Sequence, residues 1–142
     1  MYHATNSWTG LYKSNNMVVT PKTDSILVET SSNGTVYVNS TNNYLTGSYV
    51  MEAKIVDFSN SADVYARFDD GSSRYRSFSD LGISDEDTIK MLNNGEKIQI
   101  YINNVLAYER ADTGTIRFGF GLNNSSASLE LTDVMLYPYQ AE

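Results

Sequence analysis

The segment Lys97-Ile98-Gln99-Ile100-Tyr101-Ile102-Asn103-Asn104-Val105-Leu106-Ala107-Tyr108-Glu109-Arg110 decides the fold class. Ile98, Ile100 and Ile102 alternate with Lys97, Gln99, Tyr101 and Asn103. One face is apolar and the other polar, which is the period of a half-buried β-strand. Asn103-Asn104 then tolerates the left-handed conformation of a tight turn, so the chain doubles back into a second strand.

The same alternation extends in both directions. Thr115–Asn123 turns Ile116, Phe118, Phe120 and Leu122 inward, and Thr115, Arg117, Gly119, Gly121 and Asn123 outward. Asp63–Asp69 turns Val64, Ala66 and Phe68 inward, and Asp63, Tyr65, Arg67 and Asp69 outward. Tyr49, Met51, Ala53 and Ile55 form another inward row. Further strands are expected at Trp8–Tyr12, Met17–Thr20, Ile26–Glu29, Thr35–Val38, Arg74–Phe78, Thr88–Leu92 and Ala127–Tyr137. Asn33-Gly34, Asp70-Gly71, Asn94-Gly95 and Thr113-Gly114 supply turns between them. Short strands every ten residues or so, each with one wet face, predict an all-β fold. The expected architecture is an antiparallel two-sheet β-sandwich, a jelly roll. Only Ser84–Leu92 offers a helical reading, a single turn leading into the strand at Thr88, with Ser84 as N-cap and Asp85-Glu86-Asp87 as an acidic first turn.

The chain has 142 residues, the length of one domain, and a single sandwich over residues 1–142 is expected. It contains no cysteine, which excludes disulfides, thiol catalysis and cysteine-ligated zinc. His3 is the only histidine, so a multi-histidine metal site or a Ser-His-Asp triad is not expected. A formal net charge of -7 argues against a nucleic-acid partner. No run of 18 apolar residues is present, so membrane insertion is not expected. The start, Met1-Tyr2-His3-Ala4-Thr5, does not read as a signal peptide. Ser, Thr and Asn fill 43 of 142 positions, and charged residues only 19%. A surface of amides, hydroxyls and 11 tyrosines suits neutral hydroxylated ligands, which it can meet without desolvating full charges.

From Gly47 to Tyr137 the sequence resembles the concanavalin A-like jelly-roll superfamily, in particular its laminin-G-like and carbohydrate-binding-module branches. The resemblance is carried by a fixed order of segments. They are Tyr49-Val50-Met51-Glu52-Ala53-Lys54-Ile55, the hairpin Val64–Phe68 to Arg74–Arg76, and Thr88–Leu92. The hairpin Ile98–Tyr108 follows, and then the closing pair Gly114–Gly121 and Leu129–Leu136. It implies a sugar-binding appendage of a surface enzyme, adhesin or phage tail. An oligo- or polysaccharide partner is therefore expected, with an extracellular, cell-surface or virion setting. The chain could belong to an oligomer or to a larger parent protein.

A sugar platform needs a flat ring for the apolar face of a pyranose and planar polar groups for its hydroxyls. Tyr65, Arg67, Gln99 and Tyr101 are outward by alternation, and Tyr75 and Arg76 lie in the strand partnering Asp63–Asp69. These six are the candidate ligand-binding residues, expected as one patch on one sheet. A three-residue turn puts Arg67 opposite Tyr75; a shift of one residue exposes Arg74 and Arg76 instead. Gly119 and Gly121 leave a gap on the outward side where a ligand could approach the backbone. The competing reading is that exposed Tyr and Arg simply pair across strands. Trp8, Tyr44, Tyr137 and Tyr139 read as packing or rim residues.

Calcium is a lesser expectation, at Asp69-Asp70-Gly71-Ser72-Ser73 or Asp85-Glu86-Asp87; neither loop matches an EF-hand. Catalysis is not expected. Jelly-roll hydrolases of the family-16 type carry a Glu-x-Asp-x-x-Glu run, which this sequence lacks. The sequence therefore reads as a non-catalytic carbohydrate-binding module that mediates attachment to a cell-surface or environmental glycan. The alternative is a structural or protein-interaction module of a virion, tail or adhesin assembly.

Overall fold

A computed structural model describes residues 2–3, 16–37, 48–59, 62–112, 114–123 and 126–139. The expected strand at Trp8–Tyr12, together with Trp8 and Tyr44, lies outside the described residues. In chain order the strands are β1 (Tyr2–His3), β2 (Met17–Pro21), β3 (Ile26–Thr30), β4 (Gly34–Tyr37), β5 (Tyr49–Ser59) and β6 (Ala62–Phe68). They continue with β7 (Ser73–Ser77), β8 (Thr88–Asn93), β9 (Ile98–Ile102), β10 (Val105–Arg110), β11 (Ile116–Leu122) and β12 (Ala127–Pro138).

The strands form two antiparallel sheets, the expected all-β sandwich. The larger runs β10-β9-β8-β5-β12-β3-β2, with β1 beside β12, and the smaller runs β4-β11-β6-β7. The alternating residues meet between the sheets. On the larger sheet Met51, Met91 and Ile100 form one cross-strand row, and Ala53, Ile89 and Ile102 the next. The smaller sheet answers with Val64, Ala66, Ile116, Phe118 and Phe120, all buried. Burial of each such large side chain contributes about 1.5–3 kcal/mol before the entropy of ordering it.

The helix is not where the sequence placed it. Residues 84–87 form a turn with Glu86 at φ 76°, and the only helix among the described residues, α1, is Phe78–Leu81. Ser77 caps it by accepting from the Asp80 amide, and Gly82 ends it at φ 70°. Ser77 and Gly82 thus fit the cap positions better than Ser84, whose amide instead donates to Asp87 Oδ2 at 2.8 Å. The short helix serves the core. It drops Phe78 between Phe58, at 5.1 Å edge-on, and Phe120, at 6.3 Å edge-on.

One margin of the sandwich, between β7 and β10, is closed by polar groups. Arg74 Nε lies 3.0 Å from Asp112 Oδ2, and Arg110 pairs with the same oxygen. The Arg76 guanidinium covers the Tyr108 ring at 4.4 Å, and that of Arg74 lies 5.5 Å from the Phe68 ring.

Candidate functional site

The outer face of the smaller sheet is built from three cross-strand rows. In the first, Tyr37 of β4 lies opposite Gly119 of β11, Gly119 opposite Tyr65 of β6, and Tyr65 opposite Tyr75 of β7. Gly119 has no side chain, so the tyrosines on either side approach across it, their ring centroids 6.1 Å apart and tilted by 60°. Tyr65 and Tyr75 stack at 6.4 Å and 19°. Three rings thus run in a line across the sheet.

The flanking rows carry the polar groups. On one side Thr35, Gly121, Asp63 and Ser77 are in register, and the Asn123 amide donates to Asp63 Oδ2. Burial pushes the Asp63 carboxyl up from its ordinary range, and the Asn123 hydrogen bond opposes that shift. On the other side Arg117, Arg67 and Ser73 are in register, and the Arg117 guanidinium lies 4.6 Å over the Tyr37 ring. Burial also raises the Tyr37 phenol; its hydrogen bond with Thr35 and the positive charges of Arg117 and Arg67 pull the other way. Exposure is graded along the face. Tyr37 and Arg117 are buried at 2% and 5%, Tyr65 and Arg67 are half-buried, and Tyr75 is 61% exposed. A fixed floor therefore leads to a presented ring. Such a face offers apolar ring surface bordered by donors and acceptors already held in place.

The six expected residues do not form one patch. Tyr65, Arg67 and Tyr75 share this face, but Tyr75 pairs with Tyr65, and Arg67 pairs with Ser73 rather than with Tyr75. Arg76 pairs with Val64 and so turns to the inner side of β7, where it closes the sandwich margin over Tyr108. Gln99 and Tyr101 lie on the outer face of the other sheet. There Tyr101 donates to Gln99 at 3.3 Å, Gln99 donates to Glu109 at 2.9 Å, and Lys90 sits 5.7 Å from the Tyr101 ring. For that group the cross-strand pairing reading describes the structure.

Tyr37, Asp63, Arg117 and Asn123 complete the face, though none was among the six. Asp63, Arg117 and Asn123 had the right parity in the sequence. Tyr37 had no such signal, because nothing local to Thr35–Val38 says that its partner is β11. The gap expected at Gly119 is filled by the protein itself: a Cβ there would overlap the Val36 carbonyl oxygen, with Tyr37 Cα at 3.0 Å. Gly121 is different, since its nearest neighbour would be Asp63 Oδ2 at 3.6 Å.

The two acidic loops bind themselves. Asp70 Oδ1 accepts from the Ser72 amide at 2.8 Å and the Ser72 hydroxyl at 2.6 Å, and these bonds hold its carboxyl below the ordinary range. Asp87 accepts from the Ser84 amide and, at 2.9 Å, from Asn103 Nδ2. Tyr137 is a packing residue on the larger sheet, its hydroxyl donating to Glu52. A groove of about 430 Å³ at the ends of β2, β3 and β12 is lined by Asn16, Val18, Glu29, Thr30 and Ser128 among others, with no aromatic ring.

No protein-family model matches the chain, and no curated protein matches it in sequence. Solved structures do match in shape. The carbohydrate-binding module CBM66 from Bacillus subtilis is 12% identical with a TM-score of 0.63, over 90% of this chain and 95% of that one. The carbohydrate recognition domain of Emp47p is 10% identical with a TM-score of 0.57, over 92% and 89%. An alginate lyase from Corynebacterium sp. is 13% identical with a TM-score of 0.60, over 89% and 82%. At these identities the likeness establishes the fold alone, an antiparallel two-sheet jelly roll that the chain shares in shape with these three structures.

Proposed function

We propose that this protein is a non-catalytic carbohydrate-binding module whose ligand lies on the outer face of the smaller sheet. The line Tyr37–Tyr65–Tyr75 carries the proposal. The stacked, partly exposed pair Tyr65 and Tyr75 matches the apolar face of a sugar ring, and Asp63, Asn123 and Arg67 stand beside it to meet hydroxyls. The fold shared with carbohydrate-binding modules supports the reading. Asp63 is the only carboxylate that the described strands present to this face, whereas glycoside hydrolysis by the usual route needs two. The absence of histidine and cysteine there points the same way. An extracellular, surface or virion setting, where glycans are met, fits the reading, and so does membership of a larger parent protein.

A glycan array with the whole chain, with and without calcium, tests it. One glycan class should bind. Tyr75→Ala should abolish the signal with little change in melting temperature, because that ring is mostly exposed. Tyr65→Ala should weaken binding as well, and Tyr101→Ala, on the opposite sheet, should leave it intact. Silence across the array, or loss with Tyr101→Ala alone, would remove the proposal.

A second reading rests on the β9–β10 hairpin. There β10 is an edge strand, and Val105 and Leu106 are 67% and 45% exposed. Edge strands with exposed apolar residues pair readily with another chain, as a structural module of an assembly would require. Light scattering that finds only monomer would count against this reading.

A further inference from the structure

The arginines and lysines are segregated. Arg67 and Arg117 lie directly opposite each other on the outer face of the smaller sheet, and Arg74, Arg76 and Arg110 gather at its β7 margin. These are all five arginines of the chain. The described lysines, Lys22, Lys54, Lys90 and Lys97, lie in or beside the larger sheet. On the tyrosine face the described strands set two arginines against one aspartate. The face is thus locally positive on a chain whose net charge is -7.

Like charges directly opposite on neighbouring strands repel, and an anion between them would offset the repulsion. A guanidinium also matches the two oxygens of a carboxylate or sulfate with paired donors, which an ammonium does not. Arg117 is fixed against Tyr37, and Arg67, half-buried, borders the open part of the face. From the ring line to this pair is one row along the sheet, about 7 Å at two residues' rise, a span that an arginine side chain can reach across.

We propose that the glycan bound by the tyrosine face is acidic, its carboxylate or sulfate lying against Arg67 with Arg117 beneath. The inference rests on the face being the glycan site and narrows the ligand class. Net acidity makes it more specific, because a chain of this charge repels polyanions except where a local site attracts them.

Titration calorimetry of the whole chain tests it with four probes: oligogalacturonate, its carboxyl-reduced counterpart, a sulfated galactan oligosaccharide and its desulfated counterpart. At least one acidic probe should bind about tenfold or more tightly than its neutral counterpart, and the difference should shrink as salt is added. Preference within the uronate pair identifies a carboxylate, and within the galactan pair a sulfate. Arg67→Gln should remove the preference, weakening the acidic probes about tenfold more than their neutral counterparts. Arg67→Lys, which keeps the charge but not the fork, should retain part of it and guards against a folding failure in the first variant. Arg76→Gln should change nothing. Equal affinity for acidic and neutral probes, or loss with Arg76→Gln in place of Arg67→Gln, would overturn the inference and leave the glycan-binding reading standing. If no glycan of any kind binds, both fall together.

Discussion

Gly119 holds the tyrosine line together by having no side chain. Its pair partners on either side are Tyr37 and Tyr65, and the rings meet over the space it leaves. A methyl group there would meet backbone, the Val36 carbonyl oxygen and Tyr37 Cα, which cannot rotate away as a side chain could. Gly119→Ala should therefore cost about 1–3 kcal/mol, the usual penalty for overpacking, and should shift the Tyr37 and Tyr65 rings. Gly121→Ala, two residues along the same face, meets only ordinary contacts and should change stability by less than about 1 kcal/mol. Urea unfolding of the two variants checks the contrast, and equal losses would refute it. The outward parity of both glycines was legible in the sequence. That one has room for a methyl group and the other meets the β4 backbone was not, because the approach of β4 to β11 is a contact between segments about eighty residues apart.

At the scale of elements, turn chemistry explains what the alternation pattern could and could not convey. Asn103 and Asn104 take φ of 51° and 67°, as the hairpin reading of that dipeptide requires, and β9 and β10 pair across them. Asn103 does more than turn. Its side-chain oxygen accepts from the Thr88 amide at 2.9 Å and its amide donates to Asp87 Oδ1, which ties the hairpin to the start of β8. The two asparagines should therefore respond differently to glycine. Asn104→Gly keeps the left-handed turn and should leave stability within about 0.5 kcal/mol. Asn103→Gly keeps the turn but leaves the Thr88 amide unserved, and should cost about 1 kcal/mol. Thermal unfolding of the pair distinguishes them, and equal melting temperatures would mean that the Asn103 contacts contribute nothing. The β6–β7 hairpin shows the limit of local reading. Strand identity followed from alternation, but the register that puts Tyr75 beside Tyr65 depends on which three residues form the turn. Here Phe68 N donates to Ser72 O at 2.8 Å, which closes a turn over Asp69-Asp70-Gly71 and moves Arg67 opposite Ser73.

For the whole molecule, the decisive quantity is which strand joins which sheet, and alternation says nothing about that. Tyr65 and Tyr101 look alike in sequence, each an outward tyrosine flanked by inward aliphatics, yet they sit on opposite faces of the sandwich. The fold class and nearly every described strand could be read from period and turn residues, whereas Gln99 and Tyr101, two of the six expected residues, were dispersed by this assignment and Arg76 by register. The same topology leaves a margin where β7 of one sheet meets β10 of the other without a covalent link between them. Arg74, Arg76, Tyr108, Arg110 and Asp112 occupy it, and all three arginines there are partly or largely exposed. Partly exposed pairs contribute only about 0–1 kcal/mol each, so this seal should matter to local opening more than to global stability. Asp112→Ala, which releases both Arg74 and Arg110, should therefore shift the unfolding midpoint little but speed amide exchange in β7 and β10. Exchange in the central strands β5 and β12 should remain as slow as before. Raised salt should produce a weaker version of the same pattern in the unaltered chain, since it screens the pairs without removing the ring contacts. Uniform acceleration in all strands would mean instead that the margin opens only when the whole sandwich does. In that case the tyrosine face would be anchored by the core alone, with no contribution from its polar border.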